Sequence, residues 1–237
     1  MVQHNDAMTW AEFDEVFAGP SRAIDWATVG FDTSLPIVEV GPGTGRGLVE
    51  MARALPGVEL FAIEPDPGNR AVLTARIMAD VDLASRVSIL EAPVGRAPVP
   101  QVCGGVVATG VLFYLNPAER SVFWRRFHQV LGPGGIVVLE AGDAPNPQEA
   151  EKPRLVQTAM LGRWRHERWF SQRPLGHDEV EVVNEARVFE GDRVLRVECD
   201  RRHTWVLSDS ARRREAREAG FDVEALGDGR HIVATRR

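Results

Sequence analysis

The groups best suited to chemistry lie in one stretch, Pro36-Ile37-Val38-Glu39-Val40-Gly41-Pro42-Gly43-Thr44-Gly45-Arg46-Gly47. Glycine has no Cβ, so a glycine turn lets a ligand approach the backbone closely. When a helix follows, the turn also presents N–H groups and the positive end of a helix dipole. The dinucleotide spacing G-x-G-x-x-G fits neither register. Its third position falls on Arg46 counted from Gly41, and on Leu48 counted from Gly43. What stands instead is acid-x-G-x-G-x-G, with Glu39 in the strand end. A carboxylate there would repel a pyrophosphate. A second acid, Glu64, ends the next apolar run about twenty residues further on, where a carboxylate can accept both hydroxyls of a ribose.

These residues need elements to hold them. Ile37 to Val40 has the length and β-branched content of a buried parallel strand. Leu48, Met51, Ala52 and Leu55 recur at helical spacing, and Pro56-Gly57 stops that helix. Val58 to Ile63 reads as the next strand, after which Asp66 caps a helix with Pro67 at its first position. Val87 to Leu90 and Val106 to Thr109 are further strands, with Gly110 to Tyr114 running out of the second. Asn116-Pro117 starts a helix that turns Phe123, Phe127, Val130 and Leu131 inward, and Ile136 to Glu140 is a fifth strand. Strands and helices alternating at this length mean a doubly wound α/β parallel sheet, which binds ligands at the carboxyl ends of its strands. Glu39, Glu64, residues 109–114 and residues 140–143 converge there.

At the N-terminus, Thr9 can cap a helix with Trp10, Phe13, Val16 and Phe17 on one face, ending at Gly19-Pro20. A second short segment runs from Arg22 to Val29, and either Trp10 or Trp26 could serve as a lid or as core. From Ala144 to Leu207 the alternation lapses. Pro145, Pro147 and Pro153 punctuate an entry loop, and Met160, Leu161, Trp164, Trp169 and Phe170 form a bulky stretch. Val180 to Phe189 and Val194 to Leu207 then read as a hairpin turning at Gly191-Asp192. A two-residue turn predicts Glu190 opposite Arg193, Val188 opposite Leu195, Ala186 opposite Val197, Asn184 opposite Cys199, Val182 opposite Arg201 and Val180 opposite His203. That register strands Asn184, Arg201 and His203 on an otherwise apolar face. Ser208 or Asp209 caps a last helix to Ala219, and two strands close the chain on either side of Gly227-Asp228-Gly229.

The chain has 237 residues, 44% of them hydrophobic, a net charge of −6 and two cysteines, Cys103 and Cys199. That length suits one domain with an insertion, and the acidic balance argues against a nucleic-acid partner. The cysteines show neither metal spacing nor a disulfide framework, and residues 1–6 lack a signal-peptide core. The apolar run Val106 to Leu115 is too short to cross a membrane. A cytoplasmic protein without membrane, nucleic-acid or metal partner is the expectation, and a homodimer is compatible with it.

The acid-x-G-x-G-x-G turn, Glu64, the turn Leu131-Gly132-Pro133-Gly134-Gly135 and the closing Glu218-Ala219-Gly220-Phe221 resemble the class I S-adenosylmethionine (SAM)-dependent methyltransferases. The resemblance implies a seven-stranded Rossmann-like sheet, with residues 1–143 as SAM-binding core, 144–207 as an inserted antiparallel β cap on the acceptor side, and 208–237 completing the sheet. It implies SAM as cofactor and S-adenosylhomocysteine (SAH) as product. Glu39 would lie near the cationic methionine end over Gly41, Gly43 and Gly45, with Glu64 and Pro65 at the ribose and Thr109 beside them. Such enzymes place an aspartate on the adenine amino group. Here Glu91-Ala92-Pro93 occupies that place, so Glu91 or backbone near Ala92 would have to serve.

Methyl transfer is an in-line displacement that runs largely on proximity and orientation, and it needs a base only when the acceptor must lose a proton. Candidates near the acceptor are His203, His166, Tyr114 and Arg201, with Glu140 as a further possible base and His128 read as structural. No Asn-Pro-Pro-Tyr motif of nucleic-acid amino methyltransferases occurs, which points to a small, mainly apolar metabolite or natural product. A SAM-holding cyclase or isomerase on the same fold is the first alternative. A nicotinamide-dependent oxidoreductase is the second, disfavoured by the glycine spacing and by Glu39.

Overall fold

A computed structural model describes residues 3–5, 10–18, 24–144, 146–176 and 178–237. The expectations on Thr9, Gly19-Pro20, Arg22 and Pro145 lie outside the described residues. The elements run β1 (Gln3–Asn5), α1 (Trp10–Phe17), a 3-10 turn (Trp26–Thr28), β2 (Ile37–Val40), α2 (Arg46–Ala54), β3 (Leu60–Ile63), α3 (Pro67–Met78), α4 (Val81–Arg86), β4 (Val87–Leu90) and β5 (Cys103–Ala108). There follow a 3-10 turn (Leu112–Tyr114), α5 (Pro117–Val130), β6 (Leu131–Glu140), β7 (Arg154–Leu161), β8 (Trp164–Pro174), β9 (Glu179–Glu190), β10 (Arg193–Trp205), α6 (Asp209–Glu218), β11 (Phe221–Ala225) and β12 (His231–Arg236).

The chain divides into two compact units, one of residues 21–144 with 207–237, the other of residues 1–20 with 145–206. The N-terminal helix therefore groups with the insert rather than with the core, where the sequence had placed it.

The larger unit is built on a seven-stranded sheet in the order β11-β12-β6-β5-β2-β3-β4. β4, β3, β2, β5 and β6 are mutually parallel, while β12 runs antiparallel to β6 and β11 antiparallel to β12. This is the doubly wound sheet that the alternating pattern predicted, with the seven strands that the resemblance implied. β2 and β5 are buried throughout, as central parallel strands covered on both faces must be. Alternate residues divide between two cores. Ile37, Val107 and Val138 join Leu48, Met51, Leu73, Ile77 and Leu83 from α2, α3 and α4. Val38, Val106 and Val137 join Phe123, Trp124 and Phe127 from α5, together with Ala216 from α6. Trp26 packs in the first of these cores and stacks on Phe31 with centroids 6.3 Å apart, so it is core and not lid.

The helix caps sit where the sequence put them. Asp66 accepts the Asn69 N–H at 2.8 Å ahead of Pro67. Asn116 and Glu119 form a reciprocal capping box, and the Ser208 hydroxyl accepts the Ala211 N–H at 3.1 Å.

The smaller unit holds a five-stranded sheet ordered β1-β10-β9-β8-β7, antiparallel except for the short β1 beside β10. β7 and β8 occupy the stretch that gave no strand signal in the sequence, because their charged, aromatic and apolar residues do not alternate cleanly. Trp169 and Phe170 are adjacent on β8 and so point to opposite faces. Met160, Leu161 and Trp164 are exposed around the β7–β8 turn. The bulky stretch is thus not a single apolar stripe, and the inference of an apolar acceptor drawn from it loses that support.

The β9–β10 hairpin turns at Gly191-Asp192 with Glu190 opposite Arg193, as expected, but its register departs from the prediction one pair later. Leu195 is an extra residue, so Val188 pairs with Arg196, Ala186 with Glu198, Asn184 with Asp200, Val182 with Arg202 and Val180 with Thr204. A bulge of this kind moves every later side chain to the other face. Its effect here is electrostatic. Arg201 and His203, which the unbulged register would strand among apolar groups, join the charged face instead. There His203 Nδ1 lies 2.9 Å from Glu179 and Arg201 lies 3.7 Å from Glu181. On the other face Asn184 accepts an N–H from Arg168 at 3.2 Å, and Arg202 reaches Asp200 at 3.1 Å. α1 packs on that same face, with Phe13 and Phe17 against Ala159 and Ala186. The Arg202 guanidinium lies 4.0 Å from the Trp10 ring centroid.

Candidate functional site

The sheet reverses its strand order between β2 and β5, and the carboxyl ends of those strands carry the groups singled out from the sequence. β2 delivers Glu39 and then breaks into the turn. Gly41 donates its N–H to Ile63 O at 2.8 Å, tying the turn to the end of β3. Gly41 has φ +68°, and a Cβ there would lie 2.6 Å from Val111 Cγ2. Gly45 caps α2 at φ +86°, where a Cβ would meet Leu73 Cδ1 at 2.3 Å. Both places require glycine for conformation and for space.

Glu64 ends β3 and reaches back under the turn. One carboxylate oxygen accepts the Gly43 N–H at 2.9 Å and the other accepts the Asp66 N–H at 2.9 Å. Burial pushes its carboxyl above the usual range, against the pull of those two backbone donors. The Asn69 side chain is a third donor to this carboxylate, which leaves about one acceptor position for a ligand. Glu39 is 6% exposed, and its Oε2 has no hydrogen-bond partner among the described residues. Burial, with a smaller contribution from Glu64, pushes the Glu39 carboxyl up to about 8. A buried carboxyl oxygen without a donor costs about 1–3 kcal/mol, so Glu39 Oε2 is open to a donor, and a cationic one would favour the ionised form. The donor set fits SAM, whose sulfonium and ammonium are both cations.

The opposite wall comes from the exit of β5. Thr109 is half-buried, and Gly110 donates its N–H to Glu140 Oε2 at 2.7 Å. Tyr114 sits in the 3-10 turn that follows, 40% exposed, its ring 4.5 Å from that of Phe113. Glu140 ends β6 and faces Arg212 of α6 at 3.2 Å. Arg212 is 1% exposed. Nothing local in the run Arg212-Arg213-Arg214 distinguishes this arginine from its neighbours.

Just past β4 Glu91 is exposed and paired with Arg70 at 2.8 Å, and Arg70 also donates to the Pro65 carbonyl at 2.6 Å. Glu91 is thus drawn toward the surface, while Ala92 is half-buried. The remaining sequence candidates lie in the smaller unit. His166 is buried on β8 opposite Val188, with Nε2 lacking a partner among the described residues, and burial lowers its pKa. Arg201 and His203 are more than half exposed in the ion pairs given above. We expect His203→Ala and Arg201→Ala to change thermal stability by less than about 1 kcal/mol, as exposed ion pairs do. A thermal melt that drops further would show a structural role for the pair. His128 packs edge-on against Phe221 at 5.6 Å, in keeping with a structural histidine. Among the described residues no cluster of three or more His, Cys, Asp or Glu has metal-binding geometry, and no helix is long and apolar enough to cross a membrane.

Comparison with known proteins bears directly on this geometry. A family model described as a methyltransferase domain matches residues 37–135, from the first residue of β2 into β6. The carboxy-S-adenosyl-L-methionine synthase of Desulfotalea psychrophila (strain LSv54 / DSM 12343) is 21% identical over 155 residues, 65% of this chain. That match spans 59% of the relative's own length, less than two thirds. Among solved structures, DesVI of Streptomyces venezuelae superposes with a TM-score of 0.73 at 16% identity, over 98% of this chain and 100% of that one. The CcbJ methyltransferase of Streptomyces caelestis gives 0.69 at 18% identity over 94% of each chain. The glycopeptide N-methyltransferase MtfA in complex with sinefungin gives 0.57 at 22% identity, over 89% of this chain and 90% of that one. At these identities the structural likeness speaks to the fold, and the family model speaks to the segment carrying the glycine turn, Glu64 and the β5 exit. Residues 37–135 therefore match a methyltransferase domain, and the solved structures share its fold.

Proposed function

We propose that the protein transfers a methyl group from SAM to a small-molecule acceptor of natural-product type. The observation that carries the cofactor assignment is the buried Glu39 carboxyl, whose Oε2 has no hydrogen-bond partner among the described residues, beside a glycine turn that Glu64 holds from below. When bound, SAM supplies a methyl carbon made electrophilic by a positively charged sulfur. The chain's part is to hold and to orient. Glu39 offers negative charge to the cationic end, and the backbone of Gly41, Gly43 and Gly45 allows close approach. Glu64 and the Pro65 segment offer acceptors to the ribose, and backbone near Ala92 serves the adenine in place of the paired Glu91. Thr109, Gly110 and Tyr114 line the β5 exit on the acceptor side. Orientation of this kind accounts for most of the barrier reduction in an in-line transfer.

Support for the acceptor class comes from the names of similar folds, which include a glycopeptide N-methyltransferase, and from the acidic net charge, which disfavours a nucleic-acid acceptor. The acceptor atom is left open between oxygen, nitrogen and carbon. Tyr114 is the acceptor-side wall of this reading. A homodimer remains part of this reading.

The test is incubation with methyl-labelled SAM and a panel of amino- and hydroxyl-bearing small metabolites. Label in an acceptor, with equimolar SAH released, is the expected result. SAM bound and returned unchanged with every acceptor class would sink the transfer reading. A second reading, a SAM-dependent enzyme that performs another reaction, draws on the carboxy-SAM synthase relative. It predicts a modified cofactor without a methylated acceptor. A smaller prediction concerns the ribose. Glu64→Ala removes the acceptor of the Gly43 N–H as well as the ribose acceptor, so SAH affinity should fall about 10- to 100-fold by calorimetry. An unchanged affinity would remove Glu64 from the site.

A further inference from the structure

Among the described residues the largest fully buried side chain is a charged one, Arg212 on α6. Burying a guanidinium is costly unless it is paired and hydrogen-bonded, so its partners show what it holds together. Nη1 donates to the Gly142 carbonyl at 2.8 Å and lies 3.6 Å from Asp209 Oδ1, while Nη2 lies 3.2 Å from Glu140 Oε1. Asp209 is itself fixed, since its N–H donates to Asp143 Oδ1 at 2.7 Å and its carboxylate accepts from Arg213 Nε at 2.6 Å. Glu140 then spends its other oxygen on the Gly110 N–H at 2.7 Å. Gly110 precedes Val111, whose Cγ2 occupies the space that a Cβ on Gly41 would need. An unbroken series of contacts therefore runs from α6 through Arg212, Glu140, Gly110 and Val111 to the glycine turn. All of it lies within the larger unit.

We propose that Arg212 is a positioning residue: through Glu140 it holds the Gly110–Val111 turn against Gly41 and so sets the wall of the cofactor site. The inference rests on the reading of that site as a SAM site. Arg212 acts through a carboxylate of which one oxygen accepts the Gly110 N–H and the other faces the guanidinium as an ion pair. A packing arginine would have no need of that division. Lysine is not an equivalent replacement, because one ammonium lacks the planar fork that reaches Glu140 and Gly142 together.

The test combines a double-variant cycle with a measurement that needs no ligand. SAH affinity is measured by calorimetry for the wild type, Arg212→Met, Glu140→Ala and the double variant, with Arg212→Lys as the conservative replacement and the exposed Arg214→Met as control. Exchange of the Gly110 amide is followed by NMR in each. We expect each single loss to weaken SAH binding about 10-fold, and the double variant to be no weaker than Glu140→Ala alone. Arg212→Lys should recover part of the loss, Arg214→Met should match the wild type, and Gly110 exchange should speed up in Arg212→Met. Multiplied losses of about 100-fold in the double variant would overturn the proposal, as would an unchanged Gly110 rate. If Arg212→Met does not fold, Arg212→Lys and Glu140→Ala carry the same comparison. A wild-type protein that fails to bind SAH would overturn the cofactor reading instead, and Gly110 exchange would then decide whether Arg212 holds the turn.

Discussion

Replacing Gly41 by alanine should lower SAM affinity about 100-fold while leaving the protein folded. Two costs combine at this residue. Its φ of +68° is a conformation that side chains disfavour by about 1–3 kcal/mol, and the new Cβ would sit 2.6 Å from Val111 Cγ2. Relief requires either the glycine turn or the Gly110–Val111 turn to move, and both border the proposed site. Gly57 provides the control. It has φ +78° with open space around its Cα, so Gly57→Ala should cost stability alone and leave affinity unchanged. Adding Val111→Ala to Gly41→Ala should restore part of the binding by removing the clash. Calorimetric titration of the four proteins checks this, and equal losses in Gly41→Ala and Gly57→Ala would show that backbone strain, not close approach, is what matters.

The second large effect is a pH dependence centred on Glu39. Its carboxyl is raised to about 8 in the ligand-free protein, above the ordinary 4.5. A raised folded-state pKa means that the native chain holds a proton the unfolded chain has lost. The corresponding stability is fully present below pH 4.5 and is lost as pH rises through about 8. Glu39→Gln should therefore flatten the fall of the melting temperature between those values and raise it at the upper end. A cationic ligand reverses the preference, because it favours the carboxylate. Binding of SAM below pH 8 should release up to one proton, and affinity should rise with pH toward that value by at most about tenfold per unit. Glu39→Gln should abolish the proton release and weaken SAM binding about 100-fold, the scale of truncating a buried charge pair. Titrations in buffers of different ionisation enthalpy read the proton directly, and identical release from wild type and variant would assign it to another group.

What could be read from the sequence follows physical range. The glycine turn, the buried strands and the caps at Asp66, Asn116 and Ser208 are local patterns, and the structure places each where the pattern put it. Glu39 and Glu64 could be matched because both end strands whose partners the parallel topology dictates. The β9–β10 register could not, since a single bulged residue, Leu195, leaves the turn intact and inverts every pair beyond it. Nor could β7, which has no clean alternation, or β8, where Arg165 pairs with Glu167 along the strand and Arg173 reaches Glu181 of β9. Arg212 was illegible for a different reason. Its role depends on contacts with residues 140 and 142, about seventy positions away in the chain, and only folding reveals that one arginine of three is buried.

The central claim is that the carboxyl ends of β2, β3 and β5 bind SAM through the charge of Glu39. The most direct measurement is a calorimetric titration of the purified protein with SAM, SAH and NAD at pH 7. The account predicts saturable one-site binding of SAM and SAH, proton release with SAM that vanishes in Glu39→Gln, and no binding of NAD. Binding of NAD in place of SAM, or SAM binding indifferent to Glu39→Gln, would contradict it.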